Sequence, residues 1–569
     1  MRWLCTLCFL LSVTAATAQV NRYDVVIDEI MADPSPARGL PEAEFVELKN
    51  TSSKPVNLNG WKLSDAAATA TINANFVLQP DSFVILCSTA ARAVLSGFGA
   101  TLGLPNFPSL DNDGELLTLR AGDGKSVHAV WYNRLWYKNS LKSEGGWTLE
   151  MTDTRNACSG ALNWQASTAE KGGTPGKKNA VDAVNPDEIS PVLLRSYAVD
   201  SLSLALVFDE PLDSTAATAV QKYIISDGIG VPRKAVAVSP LFMQVTLYLN
   251  VPLQKNKIYT VNVQEASDCS GNTNRRFDPV KTGLSVPADT GDIVINEILF
   301  NPKPDGVDYV ELYNRGKNII DLKELTIANR TVQNLIANLH HLDIDTRLLF
   351  PEEYLAVTEN TSVIQRSYLV KQPAAVLEMS LPSYPDDKGT VVLLNGSGKV
   401  IDEVSYDEKW HFKLIDNREG VALERIDYNK SAQDAGNWHS ASTTAGYGTP
   451  TYRNSQSGAA ASSTGALTVS PRVFSPDNDG RDDFTTIFYR MQEPGYVCNI
   501  TLFNAQGLPV RMLVRNALCG TAGYFRWDGL DEKGNTLPGG VYVILTEFFN
   551  LHGKVERFKQ AVTLAKKLR

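Results

Sequence analysis

Short apolar runs recur along the whole chain and are separated by clusters of glycine, proline, asparagine and aspartate. The runs are rich in β-branched and aromatic residues, as is typical of strands; examples lie at 83–86, 116–119, 204–208, 245–249, 390–394 and 541–545. Sustained helical periodicity is almost absent, apart from short helical turns predicted near 88–96. The spacing of the runs predicts an all-β chain of tandem immunoglobulin-like β-sandwiches rather than a parallel sheet with alternating helices.

One strand pattern occurs twice. VIDEIMADP at 26–34 returns as VINEILFNP at 294–302, and FVELKN at 45–50 returns as YVELYN at 309–314. Later parts recur in the same order: Leu-Glu at 149–150 and 423–424, Asn-Trp at 163–164 and 437–438, and Gly-Thr-Pro at 173–175 and 448–450. Duplication of a strand-rich unit indicates a multidomain binding or structural protein, and we expect Trp164 and Trp438 in equivalent buried positions.

Changes in composition predict the domain boundaries. Residues 1–18 read as a secretory signal peptide, because a short apolar run between Arg2 and a small-residue cleavage site is typical of one. The predicted units are the first copy at 22–183, a distinct strand-rich unit at 185–287, the second copy at 288–454, a flexible tether at 455–465 and a final domain at 466–569. No later segment approaches the roughly 18 apolar residues of a membrane helix. We therefore expect a secreted protein, extracellular or on the outer cell surface.

The repeated module resembles the lamin tail domain, an immunoglobulin-like sandwich found in nuclear lamins and in many secreted bacterial proteins. The resemblance is carried by the Ile-x-Glu-Ile openings at 27–30 and 295–298, by FVELKN and YVELYN, and by LNGWKL at 58–63. In the second copy Glu324 and Leu325 replace Gly60 and Trp61. We expect local repacking of the second sandwich at that point.

Two further resemblances cover the rest of the chain. The unit at 185–287 looks like a bacterial Ig-like domain, with the ending DCSGN at 268–272. The final domain resembles the gliding-motility-associated C-terminal domain, itself similar to the Ig module of flagellar hook-capping proteins, through FSPDNDGRDD at 474–483, WDGLD at 527–531 and LPGGVY at 537–542. That resemblance implies a Bacteroidota-like source and a sorting domain whose partner is the type IX secretion machinery.

Charge and cysteine content narrow the choice of partners. The net charge is -9 and neither sign runs in long blocks, which argues against a dominant electrostatic footprint for nucleic acid or an anionic membrane.

Five cysteines lie beyond residue 18: Cys87, Cys158, Cys269, Cys498 and Cys519. This odd, sparse set predicts cores held by packing. Cys498 and Cys519 flank a hairpin predicted near 504–507, and they are interpreted either as one disulfide or as two small buried apolar residues.

Four aspartates, Asp477, Asp479, Asp482 and Asp483, surround Gly480. Hard oxygen ligands on a tight loop suit calcium, so these residues are the candidate metal site and calcium the candidate cofactor. The loop is shorter than an EF-hand loop and lacks its distal glutamate. The alternative is an Asx-rich turn in which the carboxylates accept hydrogen bonds from nearby amides.

Two carboxylate pairs, Glu29 with Glu47 and Glu297 with Glu311, invite an acid/base interpretation. A catalytic pair needs a pocket and separated pKa values. Because the pairs are duplicated with the module, we favour residues that satisfy backbone or Arg/Lys partners within the fold. No catalytic residue is predicted.

Four aromatic residues, Trp131, Tyr132, Trp136 and Tyr137, form a second candidate site. They are interpreted either as a stacking platform for sugars or bases or, preferably, as half-buried packing at a sheet edge.

The mature chain contains no H-E-x-x-H, G-x-S-x-G, Walker or C-x-x-C motif. We therefore expect a non-enzymatic adhesion or structural protein, with a surface glycan or protein as an unidentified ligand. The alternative is an accessory to extracellular nucleic-acid binding or processing, because bacterial lamin tail domains accompany secreted nucleases; a hydrolase with an unrecognised site is a third hypothesis.

Overall fold

The computed structural model describes residues 20–458 and 466–565, and the predicted signal peptide lies outside these ranges. The chain forms two compact units. The first contains the residues up to Leu253 together with Tyr259–Thr282, and the second contains Gln254–Ile258 and the residues from Gly283 onwards. Strands dominate both. The two α-helices of the described ranges are α1 (Arg92–Leu95) and α2 (Thr361–Ser367). No helix in this part of the chain combines the length and apolarity that crossing a bilayer requires.

The first copy is a sandwich of a six-stranded and a four-stranded sheet, with one small two-stranded sheet. Its strands are β1 (Val25–Met31), β2 (Phe45–Asn50), β3 (Val56–Asn57), β4 (Lys62–Ser64), β5 (Thr69–Thr71), β6 (Val77–Leu78), β7 (Phe83–Ser88), β8 (Thr101–Leu104), β9 (Leu116–Arg120), β10 (Ser126–Trp131), β11 (Leu149–Met151) and β12 (Trp164–Ala166). The sheet orders are β12-β11-β1-β2-β7-β8, β10-β9-β4-β5 and β3-β6.

Both faces of the six-stranded sheet are covered. Val46 and Leu48 of β2 pack in the core between the sheets. Phe45, on the opposite face, packs in a second cluster with Leu95 of α1. Because successive side chains of a strand point to opposite faces, Glu47 shares the outer face with Phe45. A strand that is covered on both sides is mostly apolar, which explains the run of apolar residues in β1.

The middle unit contains β13 (Leu193–Asp200), β14 (Ser203–Phe208), β15 (Tyr223–Ile225), β16 (Lys234–Ala237), β17 (Gln244–Tyr248), β18 (Tyr259–Val263), β19 (Ala266–Ser267), β20 (Thr273–Asn274) and β21 (Val280–Thr282). They form sheets ordered β13-β14-β17-β16, β15-β18-β21 and β19-β20. The DCSGN motif makes the turn between β19 and β20, where Asp268 Oδ1 accepts hydrogen bonds from the N–H groups of Ser270, Gly271 and Asn272.

The second copy repeats the topology of the first. Its strands are β22 (Ile293–Leu299), β23 (Tyr309–Asn314), β24 (Ile320–Asp321), β25 (Leu325–Arg330), β26 (Ile336–His341), β27 (Leu348–Leu349), β28 (Tyr354–Thr358), β29 (Val376–Glu378), β30 (Lys388–Asn395), β31 (Val400–Asp407), β32 (Leu423–Arg425) and β33 (Trp438–Ser440). The orders β33-β32-β22-β23-β28-β29, β31-β30-β25-β26 and β24-β27 match those of the first copy strand for strand.

The two predicted core tryptophans are equivalent. Trp164 and Trp438 each begin the last strand of their six-stranded sheet and are 1% and 3% exposed. The expected local difference is also present. Gly60 turns the first copy with a positive φ of 79°, whereas a short 3₁₀ turn, Leu322–Glu324, precedes the buried Leu325 in the second. The duplication predicted from the sequence is therefore confirmed at the level of the fold.

The terminal unit is a sandwich of two sheets. Its strands are β34 (Ala466–Ser470), β35 (Val473–Phe474), β36 (Thr485–Arg490), β37 (Val497–Phe503), β38 (Pro509–Leu518), β39 (Ala522–Trp527), β40 (Gly540–Phe549) and β41 (Val555–Leu564). The orders are β34-β36-β39 and β35-β41-β40-β37-β38. Trp527 is fully buried and packs edge-on against Phe474 and Tyr542, so three motifs noted in the sequence meet in one core.

The beginning of the predicted tether is not flexible. Gln456 is fully buried, and its side-chain amide donates to the carbonyls of Ser440 and Cys519. A small apolar cluster of Phe412, Val497 and Leu518 also joins the second copy to the terminal unit. The sequence prediction was wrong for 455–458 because these residues supply hydrogen-bonding groups that both neighbours use. Residues 459–465 lie outside the described ranges.

Candidate functional site

The glutamates of the repeated motifs lie side by side on the outer face of the six-stranded sheet. In the first copy Glu29 on β1 is in register with Glu47 on β2 and with Glu150 on β11. All three side chains are fully buried. Isolated buried carboxylates are costly unless they receive hydrogen bonds, so their partners decide what this row does.

A loop after β12 supplies those partners, and we call residues 173–181 the first closing strap. Its backbone N–H groups donate to each carboxyl group: Thr174 to Glu29 at 2.7 Å, Gly176 to Glu47, and Val181 to Glu150 at 3.1 Å. The Thr174 hydroxyl also donates to Glu150, at 2.8 Å. The carboxyl row therefore holds the strap against the sheet.

The second copy has the same arrangement, with residues 448–456 as the second closing strap. Its N–H groups donate to the equivalent row: Thr449 to Glu297 at 2.9 Å, Thr451 to Glu311, and Gln456 to Glu424 at 2.7 Å. Thr449 Oγ1 lies 3.0 Å from Glu297 Oε2 and 2.9 Å from Glu424 Oε1. Gly-Thr-Pro recurs with the glutamates because its threonine bridges two of them.

Burial shifts the titration of these groups in both copies. It raises the pKa of Glu297 to about 8, with the neighbouring Glu424 adding to the shift, and the strap hydrogen bonds oppose it. Burial likewise raises the pKa values of Glu29, Glu47, Glu311 and Glu424. The interpretation of the Glu pairs as residues that satisfy partners within the fold is supported: their side chains are fully buried and accept hydrogen bonds from the strap backbone.

At a bulge in the first strand of each copy, a backbone N–H group donates to a different side chain. In the first copy the N–H of Ile27 donates to His128 Nδ1 at 2.8 Å. In the second, Ile295 donates to Asp402 at 2.8 Å, and Asp402 forms an ion pair with Arg425 at 2.8 Å. Burial lowers the pKa of His128 to about 4. This histidine is therefore neutral near pH 7 and has a structural role.

The aspartate loop brings three of the four predicted ligands together. Oxygens of Asp477, Asp479 and Asp483 lie within 4.8 Å of one another. Asp483 accepts hydrogen bonds from the N–H groups of Asn478 and Gly480, at 2.7 and 2.9 Å. Asp482 does not join this group, since its backbone takes a left-handed φ of 53° and its carbonyl accepts from Ser475. The loop has the hydrogen bonds of an Asx-rich turn, and calcium binding there stays a prediction.

The cysteines differ from the prediction. Cys158 and Cys269 form a disulfide across 111 residues of chain, with their Cα atoms 6.6 Å apart. It joins the first copy to the turn between β19 and β20. Cys498 and Cys519 are free and buried in the core of the terminal unit, so the alternative of two small buried residues is correct for them. The first unit is thus held by a covalent link as well as by packing.

Two of the four predicted platform aromatics line a cleft beside this disulfide. The cleft has a volume of about 460 Å³, and its lining includes Trp131, Trp136 and Trp164. Trp131 is 58% exposed, whereas Tyr132 and Tyr137 are buried in the sandwich core. Trp136 packs on the buried Trp164 with ring centroids 6.3 Å apart. Trp131 ends β10 and Tyr132 follows it on the opposite side, as successive residues of an extended chain do, whereas Trp136 and Tyr137 lie in a 3₁₀ turn, Arg134–Tyr137.

The charged residues that line this cleft are all acidic: Asp187, Asp209 and Glu210. Glu210 approaches Asp187 and the buried Asp268, so that carboxylate oxygens of the three residues lie within 4.8 Å of one another. Glu210 Oε1 is buried without a hydrogen-bond partner. Burial raises the pKa of Glu210 to about 8, and the neighbouring carboxyl groups raise it too. No sequence pattern indicates this cluster, because its members lie far apart along the chain.

The lamin tail domain family model matches residues 18–134 and 287–408. These two regions, one in each copy, resemble lamin tail domains. The matched ranges contain β1 and β2 of the first copy and the equivalent β22 and β23 of the second, which bear two of the three glutamates in each row. No curated protein matches the chain.

The chain also has low sequence identity to several solved structures. The N-terminal part of the bacterial S-layer protein SbsC is 19% identical, with 29% of this chain and 44% of that chain covered and a TM-score of 0.15. FlgD from P. aeruginosa is 18% identical, over 14% and 62%, with a TM-score of 0.13. A tetra-tandem repeat of a large adhesion protein is 11% identical, over 95% and 98%, with a TM-score of 0.13. The chain thus spans less than two thirds of the first two structures.

Proposed function

We propose that the protein is a non-enzymatic adhesion or structural protein, secreted or held at the outer surface of a bacterium. The disulfide between Cys158 and Cys269 carries this proposal, because disulfides persist in oxidising compartments outside the cytosol. The buried carboxyl rows support the non-enzymatic part, since the most conspicuous repeated acids of the sequence serve to close the sandwiches.

The location is tested by fractionating cells that produce the full chain and treating intact cells with an external protease. A thiol reagent that adds a large mass to each free cysteine, applied after denaturation, reports whether Cys158 and Cys269 are free or disulfide-bonded. We expect protease-accessible protein in which these two cysteines resist labelling until a reductant is added. A protein retained inside the cell with both thiols free would contradict the proposal.

The terminal unit is proposed to direct export through a type IX secretion machinery of the Bacteroidota kind. Support comes from the resemblance of 474–483 and 527–542 to sorting domains. The test compares the full chain in matched hosts with and without that machinery. We expect surface delivery only in the competent host and periplasmic retention in the other. Delivery in both hosts would recast the terminal unit as a further sandwich module.

A truncation is the second test of export, and the structure decides where to cut. A stop after Asn454 removes the Gln456 N–H that donates to Glu424, so the second strap would lose one of its anchors. A stop after Gly458 keeps the strap intact and removes the terminal unit. Periplasmic accumulation of the longer truncation, with its disulfide formed, is the expected result; normal surface delivery would contradict it.

Calcium is proposed as a ligand of Asp477, Asp479 and Asp483, supported by the closeness of their oxygens. Binding to the folded form alone stabilises it by about 2.7 kcal/mol at a hundredfold excess over Kd. The melting temperature of the terminal transition should rise with calcium in the full chain and not in Asp483→Asn. If the melting temperature were the same with calcium and with a chelator, the proposed calcium site would be wrong. The alternative nucleic-acid role has no comparable support, because carboxylates line the aromatic cleft and repel phosphate.

A further inference from the structure

The cleft beside the disulfide has the features of a ligand site. Its volume of about 460 Å³ falls within the usual range for pockets that enclose small groups. Its rim is apolar and exposed: Trp131, Leu162 and Ile189 are each more than half exposed. Such side chains normally gain by being covered, so a partner that covers the rim would remove apolar surface from water.

The charges of the lining select among partners. Asp187, Asp209 and Glu210 line the cleft, and no Lys, Arg or His does. Asp187 and Asp209 have partners within the protein, since Ser159 Oγ donates to Asp187 at 2.8 Å and Val192 N to Asp209 at 2.7 Å. Glu210 Oε1 has none. A cationic group in the cleft would offset the repulsion among these carboxyl groups.

The aromatic faces favour the same chemistry. A cation over the face of a tryptophan is attracted by the negative face of the ring, and the alkyl stem of a long basic side chain packs on apolar surface. The exposed indole of Trp131 and the half-buried indole of Trp136 lie in one cleft with the carboxylates. A phosphate would be repelled, and a bare metal ion would leave the apolar rim uncovered.

We propose that this cleft, lined by Trp131, Trp136 and Glu210, binds the basic side chain of a lysine or arginine on a partner protein. The alkyl stem lies against the tryptophans, and the cationic head lies against the carboxyl groups that line the cleft, those of Asp187, Asp209 and Glu210. The proposal rests on the adhesive function proposed above for the nature of the partner, and its test is independent of export.

The test measures binding of blocked tripeptides to the purified chain without residues 1–18, by calorimetry and tryptophan fluorescence. One peptide has a central arginine, one a central lysine, and one a central glutamine as the neutral match. We expect both basic peptides to bind at least about tenfold more tightly than the neutral one. Glu210→Gln and Trp131→Ala should each weaken that binding about tenfold.

Matched controls separate the cleft from its surroundings. Glu188→Gln removes the same charge from an exposed neighbour outside the lining, and Leu135→Ala shortens an exposed apolar residue close to Trp131. Both should bind the basic peptides as the unaltered chain does. Trp131 is exposed, so Trp131→Ala should keep the melting temperature and report on binding alone.

Three results would overturn the proposal: equal binding of the neutral peptide, unchanged binding by Glu210→Gln, or no binding of either basic peptide. Calcium bound in a Glu210-dependent way without peptide binding would replace it with a metal site, and a neutral sugar bound through Trp131 alone would replace it with a sugar platform. Because these measurements use purified protein, failure here leaves surface delivery intact, whereas failure of delivery leaves the binding results unaffected.

Discussion

The substitution Thr449→Val tests the closing of the second copy by its strap. Valine keeps the shape of threonine and removes one hydroxyl, whose single proton is shared between Glu297 and Glu424 in a fully buried position. Burial raises the pKa of both carboxyl groups, so the hydrogen bond is taken as one between neutral groups, which contributes about 0.5–1.5 kcal/mol, and an acceptor left buried without a donor costs about 1–3 kcal/mol. We expect the strap to open more easily by about 2 kcal/mol, which is about 30-fold in the opening equilibrium.

Hydrogen exchange of the full chain, read by mass spectrometry over 445–458, measures this opening directly. The N–H groups of Thr451 and Gln456 donate to the carboxyl groups of Glu311 and Glu424 in the closed state. Their protection factors against exchange should fall about 30-fold in Thr449→Val. The control Thr390→Val removes a hydroxyl whose hydrogen bond to Ser405 is exposed and should change stability by less than about 0.5 kcal/mol. Unchanged protection of the strap in Thr449→Val would refute its role as an anchor.

Three further predictions concern Glu297, Trp438 and the disulfide between Cys158 and Cys269. Burial raises the pKa of Glu297 to about 8 from 4.5, so this carboxyl group binds more protons in the folded form between these pH values. Its contribution to the free energy of unfolding is full below pH 4.5 and is lost as the pH rises through 8, so urea titrations between these values should show a shallower fall for Glu297→Gln than for the unaltered chain. Trp438→Ala should cost about 3–5 kcal/mol in the second copy, seen as a lower denaturation midpoint, because the ring is 3% exposed and its Nε1–H donates to Ala432; an unchanged midpoint would contradict the burial. Replacing Cys158 and Cys269 by serine should destabilise the first unit by about 2–5 kcal/mol, and reductant should lower its melting temperature only in the unaltered chain.

The strands, the duplication and the equivalent tryptophans were predictable because they depend on local patterns. Alternation and turn residues mark β2 and β23, and the repeated Asn-Trp places Trp164 and Trp438 in register. The structural role of the glutamates was also predictable from their duplication. Their partners were not, because Thr174 lies 145 residues from Glu29 along the chain and a loop carries no periodic signal.

The remaining differences have the same physical origin. Cys158 and Cys269 are separated by 111 residues and meet only when the first copy and the middle unit pack together. The acidic cluster of Asp187, Glu210 and Asp268 likewise needs folded units. The tether prediction failed at Gln456 because small polar residues are typical of linkers, and composition does not report that both neighbours bind this side chain.

The position of each strap at the end of its module sets the order in which the protein is completed. When the chain emerges from its amino terminus, Glu29 and Glu47 appear early, whereas Thr174 and Gly176 appear more than a hundred residues later. Until then the carboxyl row has no backbone donors from the strap. Each module is thus completed by its last segment, so a chain that ends before the strap lacks the backbone hydrogen bonds that satisfy its buried glutamates.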